Sequence, residues 1–255
     1  DVLMLSAGLE DVPHLSAARR KEIELSYPIH ERGTRCRGDM MLGSGAIFPV
    51  DEADLRVAPF EIPSHWSRIA GIDFGSDHPT AVVWLAHDRD TDTLYVYDAH
   101  RARVGVEHKL EQTILYNAEA IRRRGDWVPV AWPHDGDRKR PDGSTWANDY
   151  RKRGIRMLHR SARLKEDKGG AQSREAVIKQ VLEYMLTGRF KVFTTCWQWF
   201  EEFRMYHRDE DGLVVDRNDD TLSATFYAFM DRRKAVSAGL GSSSTRGRPS
   251  LRPMM

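Results

Sequence analysis

Ile69-Ala70-Gly71-Ile72-Asp73-Phe74-Gly75-Ser76, followed at once by Thr80-Ala81-Val82-Val83-Trp84-Leu85, is the stretch on which the reading of this chain turns. It predicts a short apolar strand with one carboxylate inside it, a tight glycine turn, and a second strand running back alongside. A carboxylate among apolar strand residues is costly unless it is hydrogen-bonded, paired or bound to a cation. Asp73 is therefore either a structural acid held by turn amides or one member of a site, and the remainder of the chain must decide.

Working outward, residues 93–99 predict a third strand after the turn Asp88-Arg89-Asp90-Thr91-Asp92, which makes an antiparallel meander. A helix is expected over 106–124, with Leu110, Ile114, Leu115, Ala118 and Ile121 on one stripe and Gly125 as its stop. Residues 128–132 read as the fourth strand, 145–153 as a short helix closed by Gly154, and 155–158 as the fifth strand. Helices then follow over 173–186, 196–206 and 219–234, with 190–193 a short extended piece. Three antiparallel strands plus two reached by crossover helices imply an α/β fold: a ribonuclease H-like mixed five-stranded sheet flanked by helices. Residues 67–235 make this main domain; 1–66, rich in Gly and Pro, read as a lead-in or linker packed on it, and 236–255 as a disordered tail.

Of the 255 residues, 40% are hydrophobic and 30% charged, the profile of a soluble globular chain. Net charge is +1, so any polyanion-binding surface must come from local clustering. Cys36 and Cys196 offer neither ligand spacing nor a disulfide framework, which suits a reducing cytoplasm. No apolar run approaches the ~20 residues needed to span a bilayer, so no membrane partner is expected. Opening on Asp1, without an initiator Met, suggests a fragment or processed product.

Other carboxylates give Asp73 its meaning. Asp135 lies just past the fourth strand, which such topologies place beside the first, and Asp219 and Asp220 head the last helix. Each has a plain explanation, as turn chemistry or as an N-cap. Together, acids at strand, strand end and helix start suit two divalent ions, Mg²⁺ or Mn²⁺, which take hard oxygen ligands and can drive phosphodiester hydrolysis. Asp219 shares a stripe with Leu222, Ser223 and Phe226, and Asp220 with Ala224, Tyr227 and Ala228; both stay candidates as catalytic and metal-binding residues.

These residues resemble a known family: the C-terminal nuclease domain of the large terminase subunit of tailed bacteriophages. The resemblance covers most of residues 20–235 and is carried by Tyr27-Pro28-Ile29-His30-Glu31-Arg32, Leu42-Gly43-Ser44-Gly45-Ala46-Ile47-Phe48-Pro49, Gly71-Ile72-Asp73-Phe74-Gly75, Asp77-His78-Pro79, Trp132-Pro133-His134-Asp135-Gly136 and Asp219-Asp220-Thr221-Leu222-Ser223-Ala224. It implies a metal-dependent endonuclease that cuts concatemeric viral DNA during headful packaging in the host cell cytoplasm. Its implied partners are double-stranded DNA, the portal protein, the small terminase subunit and an ATPase domain upstream in the same polypeptide. Two departures stand out: Phe226 where relatives often carry Arg, and no Gly-x4-Gly-Lys-Ser/Thr phosphate loop in this chain.

Arg138, Lys139 and Arg140 follow Asp135 on one loop and are the first candidates for DNA-phosphate contacts; Lys165 and Lys168 lie on a second, flexible stretch. Arg122-Arg123-Arg124 reads instead as a solvated helix end that suits the helix dipole. His78 and His134 flank the acids as supporting groups or proton carriers, or as simple turn residues. Rival readings are a Holliday-junction-resolvase-like nuclease, an actin- or sugar-kinase-like ATPase, and a non-catalytic docking module of a packaging motor. The ATPase needs a second Gly-rich phosphate hairpin, which the sequence lacks, and the acid constellation disfavours the docking module.

Overall fold

The computed structural model describes residues 8–27, 36, 45–75, 78–102, 110–163 and 171–239. Strands β1 (Arg56–Val57), β2 (Ser67–Asp73), β3 (Thr80–Asp88), β4 (Thr93–Ala102), β5 (Val130–Ala131) and β6 (Phe190–Phe193) form one mixed sheet in the order β1-β6-β4-β3-β2-β5. The described helices are α1 (Ala17–Ser26), α2 (Glu52–Leu55), α3 (Leu110–Arg123), α4 (Trp146–Lys152), α5 (Ala171–Leu186), α6 (Trp197–Met205) and α7 (Asp220–Met230), with a 3-10 turn at His134–Asp137 after β5. No helix among the described residues is long and apolar enough to cross a membrane. Residues 240–255 lie outside the described residues, as does the expected start of α3 over 106–109.

The meander forms as expected, with Asp73 opposite Ala81 and Ala81 opposite Arg101 in one row across β2, β3 and β4. The sheet is nevertheless six-stranded. Residues 190–193 are a strand, parallel to β4 on one side and to β1 on the other. Residues 155–158, expected as a strand, make only an isolated parallel bridge between Val130 and Met157. There the Met157 N–H bonds back to the Ile155 carbonyl at 2.8 Å, which curls the backbone out of the extended form a ladder needs. Asp73 also proves to be the last residue of β2, not an interior one.

Period-two alternation splits the core. Ile69, Ala81, Val83 and Leu85 join a cluster with Val177, Val181, Phe200, Leu222, Ala224 and Phe229 from α5, α6 and α7. Ala70, Ile72, Phe74, Val82 and Trp84 join the opposite cluster with Ile114, Ala118, Ile121 and Tyr150 from α3 and α4. Helices thus cover both faces, and nearly every β3 residue is buried. Phe226 belongs to this core: its ring lies 6.3 Å from that of Phe48 and 6.1 Å from that of Tyr206, so at this position an aromatic packs where a cation was the family expectation.

Candidate metal centre

Helix α7 lies across β2 and β3, and one missing side chain lets it come close. A Cβ on Gly71 would stand 1.9 Å from the Ala224 carbonyl oxygen and 2.8 Å from the Ala228 amide nitrogen. Backbone-to-backbone contact of that kind is open to glycine alone. It seats the helix start near the end of β2: Asp73, His78 and Asp220 each present a ligand atom, and these atoms lie within 4.8 Å of one another. His78 Nδ1 is 2.7 Å from Asp220 Oδ1 and 3.1 Å from the Pro79 carbonyl oxygen.

The groups in this cluster shift one another's acidity. Burial pushes the Asp73 carboxyl well above the usual carboxylate range; His78 opposes the shift, while Asp220, Asp219 and Asp135 reinforce it. The hydrogen bond to Asp220 lifts the His78 imidazole to about 9, against the effect of its partial burial, and Asp73 adds to the rise. A histidine made more basic thus faces a buried acid that holds its proton tightly. Carboxylate oxygens gathered so closely suit a divalent cation that accepts oxygen ligands.

Two acids that are neighbours in sequence part company here. Asp219 is buried and bound by the Arg174 guanidinium, and its Oδ2 also accepts from Ser223 Oγ at 3.1 Å. Arg174 further reaches Asp216 Oδ1 at 2.6 Å and the Tyr206 hydroxyl at 3.1 Å. Asp220 instead meets His78 and belongs to the close cluster.

Asp135 sits exposed on its 3-10 turn, outside the close cluster among the described residues. Its turn is nonetheless seated beside Asp73: a Cβ on Gly136 would lie 2.6 Å from Trp132 Cε3 and 2.7 Å from Phe74 Cε2. Its charge raises both Asp73 and the hydroxyl of the partly buried Tyr227 on α7, whose shift comes first from burial and then from Asp73 and Asp135. His134, on the same turn, is exposed.

The basic candidates divide as well. Arg138 and Lys139 are exposed beyond Asp135. Arg140 turns inward: it binds Asp149, donates to Ser144 Oγ at 2.6 Å and lies 4.9 Å over the Trp146 ring. Lys165 and Lys168 fall outside the described residues.

Sequence reading missed Arg174, Arg101 and Glu202. Glu202 is fully buried, and burial raises its carboxyl to about 7 although Thr221 and Arg101 hydrogen-bond to it. The available signal was an acid on the apolar side of α6, three residues after Trp199 and next to Phe203.

The Terminase RNaseH-like domain family model matches residues 70–232. The large terminase subunit of Salmonella phage P22 is 41% identical over 233 residues, which is 91% of this chain and 45% of that protein. The chain thus spans about half the length of this curated relative. The P22 large terminase nuclease domain superposes with a TM-score of 0.69 at 36% identity, covering 79% of this chain and 99% of that one. The large terminase nuclease domain of bacteriophage SPP1 with bound Mn shares the fold, with a TM-score of 0.51 at 18% identity over 70% of this chain and 95% of that one. With a family model over more than half its length and a solved nuclease domain matched almost end to end, the chain belongs to the terminase RNaseH-like domain family.

Proposed function

We propose that this chain is a divalent-metal-dependent endonuclease that hydrolyses phosphodiester bonds of double-stranded DNA during viral genome packaging. The observation that carries this is the convergence of Asp73, His78 and Asp220, whose ligand atoms all lie within 4.8 Å of one another. Asp73 and Asp220 would hold the metal, with Asp135 completing the set from its neighbouring turn. Asp73, at the centre of the set, would contribute to holding either of two such ions. Asp219 is better read as the partner of Arg174 than as a ligand. Held by these residues, Mg²⁺ or Mn²⁺ would activate a water and offset charge on the scissile phosphate.

The remaining chemistry falls to the side chains. His78 Nδ1 lies 2.7 Å from Asp220 Oδ1, and this hydrogen bond, which raises the basicity of the imidazole, fixes the carboxylate's orientation beside the site. Arg138 and Lys139 would neutralise backbone phosphates next to Asp135, and Lys165 and Lys168 would do so further along the duplex. Contacts of this kind position DNA without reading base edges, so cutting would show weak sequence preference. The identity to the P22 subunit, over somewhat less than half of that protein, supports an ATPase domain upstream in the same polypeptide, action on concatemers at headful packaging in the host cytoplasm, and contacts with portal protein and small terminase subunit.

Supercoiled plasmid incubated with Mn²⁺ or Mg²⁺ tests the reading. Wild type should nick and linearise it, Asp73→Ala should not, and chelation should stop the reaction. Equal cleavage by both proteins, or none at any metal concentration, would overturn it.

A further inference from the structure

We propose, on the reading that Asp73 and Asp220 hold divalent metal, that Glu202 and Arg101 form a brace that sets the distance between those two carboxylates, which makes Glu202 a positioning residue for the site. Helix α7 starts without a cap of its own, because Asp219 at the N-cap position makes no side-chain capping bond. Its first amides need acceptors all the same. They find one far away in sequence: Glu202 Oε2, on α6, accepts from the Thr221 amide at 2.7 Å, from Thr221 Oγ1 at 2.6 Å and from the Leu222 amide at 3.2 Å. The other oxygen, Oε1, accepts from Arg101 Nη1 at 2.8 Å, while Arg101 Nη2 donates to Glu201 Oε2 at 2.8 Å.

Arg101 connects this cap to the sheet. It stands opposite Ala81, and Ala81 stands opposite Asp73, so Arg101 and Asp73 share a row two strands apart, roughly 10 Å at normal strand spacing. A continuous path therefore runs from Asp73 across the sheet to Arg101, through Glu202, to the amide next to Asp220. A serine at the N-cap would satisfy the same amides without burying a carboxylate. What the distant carboxylate adds, and a local cap cannot, is a fixed separation between the helix start and the strand row. Ligand spacing governs metal affinity, so groups that orient ligands weigh heavily on it.

The test compares the wild-type chain with Glu202→Gln and Thr221→Val. Glutamine keeps the size but turns an amide toward Arg101; valine removes one of the three Oε2 donors. Mn²⁺ binding is followed by calorimetry or by the spin-resonance signal of free Mn²⁺, beside metal-free Tm and plasmid cleavage across a Mn²⁺ titration. Glu202→Gln should raise both the Mn²⁺ Kd and the half-saturating Mn²⁺ about tenfold, and Thr221→Val by a smaller factor, with the rate at saturating metal largely restored. A cap that only stabilised the helix would lower Tm and leave the Kd of the folded protein alone. Folded variants with wild-type Kd and half-saturating Mn²⁺ would overturn the brace; if Glu202→Gln does not fold, Thr221→Val decides by the same criterion. A wild-type chain that takes up no Mn²⁺ would instead overturn the metal reading itself, and the brace with it.

Discussion

Asp220 Oδ1 lies 2.7 Å from His78 Nδ1, while the carboxylate of the preceding residue, Asp219, is held by Arg174. Adjacent acids thus serve different ends, one facing the cluster and the other tying α7 to Arg174, Tyr206 and Asp216. Asp220→Asn should lower plasmid cleavage at least about a hundredfold with little loss of Tm, because a ligand carboxylate acts through the metal. Asp219→Asn should do the reverse. Breaking a partly buried pair leaves Arg174 with Asp216 as its remaining carboxylate and should cost about 1–3 kcal/mol, with cleavage retained below the lowered Tm. Urea melts and nicking assays on the pair would check this; equal losses of activity would count against the assignment.

Asp73 should destabilise the metal-free protein. Its folded-state pKa is raised by burial and by its acidic neighbours, so the folded chain holds this proton more tightly than the unfolded one. That contribution favours folding below about pH 4 and is lost as pH rises from there through the raised folded value. In chelator, wild-type Tm should therefore fall as pH rises above about 4, whereas Asp73→Asn should vary less and be the more stable at alkaline pH. Mn²⁺ at a hundredfold excess over its Kd should stabilise wild type by about 2.7 kcal/mol and leave Asp73→Asn unmoved. Scanning calorimetry at several pH values, with and without Mn²⁺, reads both effects.

Gly71 should tolerate no side chain. The Ala224 carbonyl oxygen would be 1.9 Å from an added Cβ, and it belongs to a helix backbone that cannot turn aside. Gly71→Ala should force α7 off β2, at a cost of about 3 kcal/mol or more, and weaken metal uptake in whatever fraction stays folded. Thermal melts with Mn²⁺ titration test it.

The three basic residues after Asp135 should separate into two kinds. Arg138→Ala and Lys139→Ala should weaken DNA binding and lower the salt slope of log K by about 1 each, without changing stability. Arg140→Ala should mainly lower stability, by about 1–3 kcal/mol, since it leaves buried Asp149 without its guanidinium. Filter binding at several salt concentrations, paired with urea melts, distinguishes them.

Local patterns carried much of this molecule. Alternating apolar residues around Asp73 and Trp84 specify the meander, because a period-two pattern buries one face at a time, and the caps and stops of the helices are written beside them. The acids were visible as acids out of place. Less legible were the short pieces: 190–193 becomes a strand only because β4 and β1 lie on either side of it, and 155–158 fails as one because its backbone curls after a single bridge.

Which acid faces which partner belongs to the tertiary structure alone. Asp219 and Asp220 have the same chemistry and adjacent positions, and helical stripes left both able to face the sheet. The choice is made by Gly71, which sets how closely α7 approaches, by Arg174, which takes up Asp219, and by Glu202, which caps the helix from another element. Those partners are far from the acids in the chain. The sequence by itself determined the residue types and the secondary-structure pattern of this domain; the pairing of its charges was decided by packing, since attraction between ionised groups depends on separation and burial that no local pattern records.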